Sequence, residues 1–242
     1  MNELFKLVKG DQSRLLRYGI TYASIATSLV WIAFIQILRL DAINTYFPLF
    51  IFVDVTMMSF LLIGVAMMFE KQENALKTML VTPINKHHYL ASKIITTVVA
   101  SLSSLLLLGV YGILFKGLSI NYLGITGAVI LASFVFSCIG VLFTYKSKDF
   151  TILLMWVMVM FFGFAIPTIF QMFGIITADW FNYLQYMNPT QAVYTVLSAA
   201  VMTVDQGELL ISLGYLLLLS IILYYYVVKC FDRYSMQEFG GE

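Results

Sequence analysis

Charged residues are scarce in this sequence, and their scarcity excludes a water-soluble globular protein. They make up only 11% of the 242 residues, while hydrophobic residues make up 61%. A typical soluble domain carries about 25% charged residues, and one water-soluble core could not bury so large an apolar fraction. The chain is therefore predicted to be an integral membrane protein.

Cysteine and the common catalytic motifs are also rare or missing. Cys138 and Cys230 both lie in apolar surroundings and far apart in the chain, which does not indicate a disulfide framework. The sequence contains no G-x-x-x-x-G-K-[ST] phosphate loop, G-x-S-x-G, H-E-x-x-H or zinc-spaced Cys/His set. These absences predict that the chain is not an enzyme, with no catalytic residue, no metal site and no cofactor of its own.

Six long apolar segments dominate what is present. A transmembrane helix needs about 20 mainly apolar residues to cross roughly 30 Å of hydrocarbon. The segments that qualify are 19–38, 47–69, 94–115, 123–145, 150–170 and 209–228. The predicted fold class is thus an all-α integral membrane protein with six transmembrane helices, forming one membrane domain over 1–242.

The basic residues predict the orientation of these spans. With a cytoplasmic N-terminus, 12 of the 14 lie inside and only Arg39 and Lys116 lie outside. An excess of Lys and Arg on the cytoplasmic side is the usual pattern, so both termini are predicted to be cytoplasmic. The first 17 residues place apolar side chains on one helical face among four basic ones, which predicts a helix in the inner membrane interface.

The segment between the fifth and sixth spans contains no Lys or Arg over 167–208 and is too apolar for a free loop. Pro167 is predicted to break the fifth span, because proline removes a backbone donor and clashes with the preceding turn. Asn188 followed by Pro189 is typical of a helix start, and this helix is predicted to run through about Met202. A re-entrant pair of short helices over 171–203 is expected at the outer face.

Asp54 is the one acid within a predicted span, about 10 Å from its outer end by the helical rise. Intramembrane acids usually face a bundle interior or a wet cavity. Asp54 is thus a candidate for a translocation path, with Gln36 and Gln171 as further polar members. The alternative is a protonated or hydrogen-bonded packing residue.

The stretch EKQENALKTMLVTPINKHHYLASK, residues 70–93, separates the second and third spans. Leu76, Met79 and Leu80 form an i, i+3, i+4 stripe, which predicts a short amphipathic helix. Pro83 ends that helix and disfavours helical geometry at Thr82, after which Asn85 can cap the next one. From periodicity alone this segment is either a partner-docking helix or a solvated connector. The adjacent His87 and His88 cannot form an i, i+4 metal pair, and no role is assigned to them.

This stretch resembles the region between the second and third spans of type-2 ABC transporter permeases. The resemblance rests on an acidic-basic-acidic start, a Leu-rich turn, a Thr-Pro pair and a Lys entering the next span. The matching residues are Glu70, Lys71, Glu73, Leu76, Leu80, Thr82, Pro83, Tyr89 and Lys93, and the sequence departs from the pattern at Asn74, Ala75, Lys77 and Ser92. The resemblance also extends to the six spans and to the stretch LQYMNPTQAVY, which is similar to the family's outer Asn-Pro motif.

The resemblance implies a permease subunit that pairs with a second permease, as homodimer or heterodimer, and with two cytoplasmic ATPase subunits. ATP and Mg would be bound by those ATPases, whose closure would push on Glu70 to Pro83. The expected contact residues are Glu70, Lys71, Glu73, Leu76, Lys77, Leu80, Thr82 and Pro83. The expected activity is export of a hydrophobic or amphipathic cargo, an antibiotic or peptide, across a bacterial cell membrane. An ion-coupled secondary transporter using Asp54, or a non-transporting immunity or sensor protein, remains an alternative.

Overall fold

The computed structural model describes residues 3–37, 43–73, 85–176 and 178–240, and over these ranges its elements are helices, with no strand. The predicted all-α class is confirmed. In chain order the helices are α1 (Glu3–Arg17), α2 (Ile20–Ile37), α3 (Ile43–Gln72), α4 (Lys86–Lys116), α5 (Tyr122–Lys146), α6 (Phe150–Met160), a π-helical turn (Phe161–Ala165), α7 (Ile166–Met172), α8 (Asp179–Tyr186), α9 (Pro189–Ser198) and α10 (Gln206–Gly240).

Within the described residues, six helical segments are long and apolar enough to cross a membrane, which confirms the predicted number of spans. They are α2, α3, α4, α5, the continuous α6–π–α7 segment (Phe150–Met172) and most of α10 (Gln206–Met236). The chain is accordingly a multi-pass membrane protein.

Polar side chains set where several helices begin. Asn85, Asn121, Asp149 and Asn188 each precede a helix in extended geometry and accept a hydrogen bond from a backbone N–H two or three residues later. Such caps satisfy donors that the first helical turn leaves unpaired. The predicted caps at Asn85 and Asn188 are confirmed, with Pro189 at the first position of α9.

The centre of the bundle is formed by α3 and α5, in each of which 67% of an apolar 18-residue stretch is buried. These helices approach closely at Gly140: a Cβ added there would lie 2.6 Å from Ile63 Cγ2 and 2.8 Å from the Phe60 carbonyl oxygen. Small residues allow membrane helices to pack at such distances. By contrast α2, the fifth span and α10 are only 22% buried, and expose apolar side chains on the outside of the bundle.

The two ends of the bundle differ in content. At one end, here called the α1 end, α1 packs against the second turn of α4, and the last turn of α3 lies beside them. At the other, here called the α9 end, α8 and α9 lie between the fifth and sixth spans, and Asn121 N–H donates to the Ala200 carbonyl (2.8 Å). The two short helices predicted there are present, although α9 ends at Ser198, before the expected Met202. Their re-entrant position, like the interfacial position of α1, stays a prediction.

Candidate functional site

Four charged side chains from three helices form a buried group at the α1 end, here called the charge cluster: Asp11 and Arg14 of α1, Glu70 of α3 and Lys93 of α4. The Arg14 guanidinium donates to Glu70 Oε1 (2.8 Å). Lys93 Nζ donates to Asp11 Oδ1 (2.6 Å) and also to Glu70 Oε1. Asp11, Glu70 and Lys93 are each at most 4% exposed, and only Arg14 is half-buried. The cluster therefore fastens α1, α3 and α4 together.

Neutral donors complete the hydrogen bonding of the two carboxylates. The Tyr89 hydroxyl donates to Glu70 Oε2 (2.9 Å), and the Ser92 hydroxyl donates to Asp11 Oδ2 (2.7 Å). All four carboxylate oxygens thus accept a hydrogen bond, and two negative charges are balanced by two positive ones. Buried ions are tolerated under those conditions, whereas removing one partner leaves an uncompensated charge.

The pKa values of Arg14 and of Tyr18 are both raised in the neighbourhood of the charge cluster. Burial alone would lower the pKa of Arg14, but the Glu70 carboxylate, with smaller help from Asp11, raises the pKa overall. Tyr18 lies between α1 and α2, where burial and a hydrogen bond from its hydroxyl to Glu73 Oε2 (2.5 Å) raise its pKa to about 12. The bond from Tyr18 to Glu73 thus joins the α1–α2 connection to the residue that follows α3.

The predicted ATPase-contact residues fall into three groups. Glu70 is 2% exposed and bonded within the chain, so its carboxylate is not presented at the surface. Lys71 is half-buried and Glu73 is exposed at the end of α3. Leu76, Lys77, Leu80, Thr82 and Pro83 lie outside the described residues. The contact role of the whole set stays a prediction.

Sequence reasoning did not bring Asp11, Arg14 and Lys93 together with Glu70. A signal was available in retrospect, because Asp11 is the lone acid in the middle of a basic amphipathic helix and Lys93 directly precedes an apolar span.

The histidines also have neighbours: His87 Nδ1 lies 3.4 Å from the Tyr224 hydroxyl, and His88 Nδ1 lies 3.6 Å from Glu3 Oε2. These contacts connect the start of α4 to α10 and α1.

The three residues predicted for a translocation path make separate hydrogen bonds in the described structure. Asp54 pairs with Ser104, Gln36 Oε1 accepts from the Tyr111 hydroxyl (2.6 Å), and Gln171 Nε2 donates to Asn182 Oδ1 (3.2 Å). No direct hydrogen bond joins one of the three to another within these described ranges. A shared path stays a prediction.

Pro167 does not end the fifth span as predicted. The helix continues to Met172, and the irregularity lies just before the proline, where the Ile166 N–H donates to the Phe161 carbonyl in the π-helical turn. Proline has no N–H, so the ordinary i to i−4 series cannot continue through it. The widened turn accommodates this loss within the helix.

Side chains from α7, and from Asn188 and Thr190 at the start of α9, converge on the carbonyl of Phe164 in that π-helical turn. Three side-chain donors lie within hydrogen-bonding distance of it: Thr190 Oγ1 (2.8 Å), Asn188 Nδ2 (3.0 Å) and Thr168 Oγ1 (3.2 Å). This arrangement is here called the Phe164 clasp. The predicted Asn188–Pro189 motif thus starts α9 and also fixes α9 to the irregular part of the fifth span.

Comparison with known proteins gives one family and two relatives. A family model described as the fluoroquinolones export permease protein family matches residues 2–238. Among curated proteins, the chain is similar to the fluoroquinolones export permease proteins of two Mycobacterium tuberculosis strains, CDC 1551 and H37Rv. The identity to each is 24% over 203 residues, covering 83% of this chain and 81% of the relative.

Proposed function

This chain belongs to the fluoroquinolones export permease family, and on that premise we propose that it is the membrane-spanning subunit of an ATP-driven drug exporter. Two cytoplasmic ATPase subunits, which bind ATP and Mg, supply the energy. A second permease subunit completes the translocation unit. The α1 end faces the cytoplasm, and the connection between α3 and α4 receives the ATPases.

The charge cluster is the observation that carries this proposal. It lies where α3 ends and α4 begins, on either side of the connection between them. Its ion pairs join both of these helices to α1. Because its charges are buried and mutually bonded, a push on the connection is transmitted to three helices rather than dissipated in one loop. Glu70 acts within this coupling as an internal link, while Lys71, Glu73 and the apolar stripe of Leu76 and Leu80 contact the ATPase.

The proposed cargo is an amphipathic drug, with fluoroquinolones as the first class to examine because the two relatives are named for their export. A chain with 61% hydrophobic and 16% aromatic residues offers a path in which polar groups are few. Aromatic and methionine side chains accommodate flat apolar molecules without demanding one fixed geometry.

Transport into inside-out vesicles tests the energy source. The chain is expressed alone and together with a candidate ABC ATPase subunit, and uptake of a fluorescent fluoroquinolone is measured. We expect uptake only with both proteins and ATP, sensitivity to vanadate, and indifference to a protonophore. Uptake by the chain alone that a protonophore abolishes would instead identify an ion-coupled carrier and overturn the proposal.

A pair of substitutions tests the site of coupling. On the predicted helix Leu80 belongs to the apolar stripe, whereas Thr78 lies on the opposite face, since successive residues turn by about 100°. We expect Leu80→Asp to reduce ATP-driven uptake and co-purification of the ATPase at least tenfold. Thr78→Asp adds the same charge and is expected to retain both. Equal effects of the two substitutions would contradict docking through the stripe.

A further inference from the structure

The carboxyl of Asp54 belongs to a series of hydrogen bonds that crosses three spans. Asp54 is 3% exposed in α3, and its Oδ2 is hydrogen-bonded to Ser104 Oγ of α4. Ser104 Oγ lies 2.6 Å from Ser28 Oγ of α2, and the Ser28 hydroxyl donates to the Ser24 carbonyl (3.2 Å). This series, here called the Asp54 network, is separate from the charge cluster.

Counting hydrogens along the Asp54 network shows which protonation state satisfies all of its contacts. Each serine hydroxyl has one hydrogen to donate. If Ser28 donates to the Ser24 carbonyl, its oxygen must accept from Ser104, and Ser104 then has no hydrogen left for Asp54. The contact between Ser104 and Asp54 is made only if the carboxyl itself donates. A neutral Asp54 therefore allows all three hydrogen bonds, whereas an ionised Asp54 allows two.

The rest of the environment also disfavours a charge on Asp54. Its second oxygen, Oδ1, is buried and accepts no well-aligned hydrogen bond in the described structure, although the Trp31 indole N–H lies beside the same carboxyl and, like Ser104, favours its charged form. Among the described residues, Trp31 of α2 and Ser104 of α4 interact with the Asp54 carboxyl, with Ser28 of α2 beyond Ser104, and none of the three carries a positive charge. A buried carboxylate without a cation and with an unbonded oxygen is costly.

We propose that Asp54 binds a proton inside the membrane and holds it as a neutral carboxylic acid. The proton lies between Asp54 Oδ2 and Ser104 Oγ and starts the series that ends on the Ser24 carbonyl. Binding it connects α2, α3 and α4 without placing a fixed charge in the bundle. This site is independent of the proposed energy source, because it concerns only the resting state of this chain.

Infrared spectroscopy of the full-length protein in lipid nanodiscs tests the proton directly. We expect a carboxylic-acid C=O stretching band at neutral pH that is absent from Asp54→Asn. Asp149 provides the matched control: it is an exposed acid that caps α6, and asparagine caps helices equally well. Asp149→Asn should retain the band. Absence of the band from the wild type, or its full retention in Asp54→Asn, would overturn the proposal.

A second variant keeps the test decisive if Asp54→Asn does not fold. Ser104→Ala removes the acceptor of the proposed proton and leaves the carboxyl in place. In protein with ¹³C-labelled aspartate, the band of the neutral acid should shift to higher frequency, because the C=O bond strengthens when the O–H loses its hydrogen-bond partner. Ser103→Ala, whose hydroxyl donates to the Ala100 carbonyl within α4, should leave the band unmoved. An unshifted band in Ser104→Ala contradicts the assigned proton position.

Discussion

At the scale of single residues, the structure shows that Glu70 is buried and bonded to other helices of the same chain. A charged residue at the end of a span usually marks the membrane boundary, and from the sequence Glu70 was predicted to contact a partner. In this chain its carboxylate accepts hydrogen bonds from Arg14, Tyr89 and Lys93, which come from two other helices. Such contacts join positions up to 56 residues apart, and no local periodicity could have revealed them.

The first prediction concerns the balance of the charge cluster. Glu70→Gln removes one of two buried negative charges and leaves Lys93 and Arg14 with only the Asp11 carboxylate to balance them, so a loss of about 3–5 kcal/mol in stability is expected. Glu73→Gln, at an exposed position, is expected to cost less than about 1 kcal/mol. Thermal and denaturant unfolding in detergent measures both values.

Removing the positive charge of Lys93 together with Glu70 should recover part of the lost stability. In Glu70→Leu combined with Lys93→Met, one negative and one positive charge disappear together, and Asp11 still faces Arg14. The double variant should therefore be more stable than the sum of the single losses predicts, by about 1–3 kcal/mol. Strict additivity in this cycle would contradict a direct Glu70–Lys93 pair.

The second prediction concerns Tyr18, whose pKa is raised to about 12 by burial and by its bond to Glu73. A folded-state pKa above the ordinary 10.0 means that the neutral phenol stabilises the fold. That contribution is complete below pH 10 and is lost as the pH rises from 10 towards 12. NMR titration of ¹³C-labelled tyrosine Cζ, with the resonance assigned by its absence in Tyr18→Phe, measures the shift.

The Glu73 variant separates the two causes of that shift. In Glu73→Gln the carboxylate is lost while burial is retained, so the pKa of Tyr18 should fall part of the way back towards 10.0. A Tyr18 resonance that titrates near 10 in the unaltered protein would contradict the bond between the two side chains.

At the scale of elements, the helices were largely predictable and their irregularities were not. Long apolar runs and Asn85 and Asn188 caps are local signals, because they depend on residues within one or two turns. Pro167 indicated a disturbance in the fifth span, but the disturbance lies in the π-helical turn over Phe161–Ala165. The sequence of that turn contains no proline, and the side chains that hold it come from the start of α9, more than twenty residues away in the chain.

The third prediction tests the Phe164 clasp. Asn188→Asp keeps the side-chain oxygen that caps α9 but loses the Nδ2 donor to the Phe164 carbonyl. We expect a loss of about 1–3 kcal/mol, because a buried acceptor loses a partner and a carboxylate approaches it. Hydrogen exchange should increase at the amides around Thr168, where the fifth span leaves the π-helical turn.

Asn121→Asp is the matched control for that change. Asn121 caps α5 through its side-chain oxygen, which accepts from the Gly124 N–H (3.2 Å), and aspartate caps helices equally well. The hydrogen-exchange rates and the free energy of unfolding of the Asn121→Asp variant should remain close to those of the unaltered protein. If both substitutions have the same effect, the clasp does not depend on the amide of Asn188.

At the scale of the whole molecule, hydropathy predicted the number of spans but not their packing. The count follows from the length of each apolar run. The central position of α3 and α5 depends on close contacts such as Gly140 against Phe60 and Ile63, which link residues far apart in sequence. The same applies to the Asp54 network, where a single intramembrane acid was visible in the sequence but its serine partners were not.

The last prediction concerns orientation and uses the two ends of α5. This helix has 25 residues, about 37 Å by the helical rise, so it is long enough to cross the roughly 30 Å hydrocarbon layer. Ser119 and Lys148 are exposed just outside its two ends.

Because most basic residues are predicted to lie inside, Lys148→Cys should react with an impermeant maleimide only after the cells are opened, and Ser119→Cys should react in intact cells. Both are made in a Cys230→Ser background, since Cys138 is buried. Labelling of both positions from the same side would mean that α5 does not span the membrane, and the reverse pattern would place the α1 end and the proposed ATPase contact outside the cell.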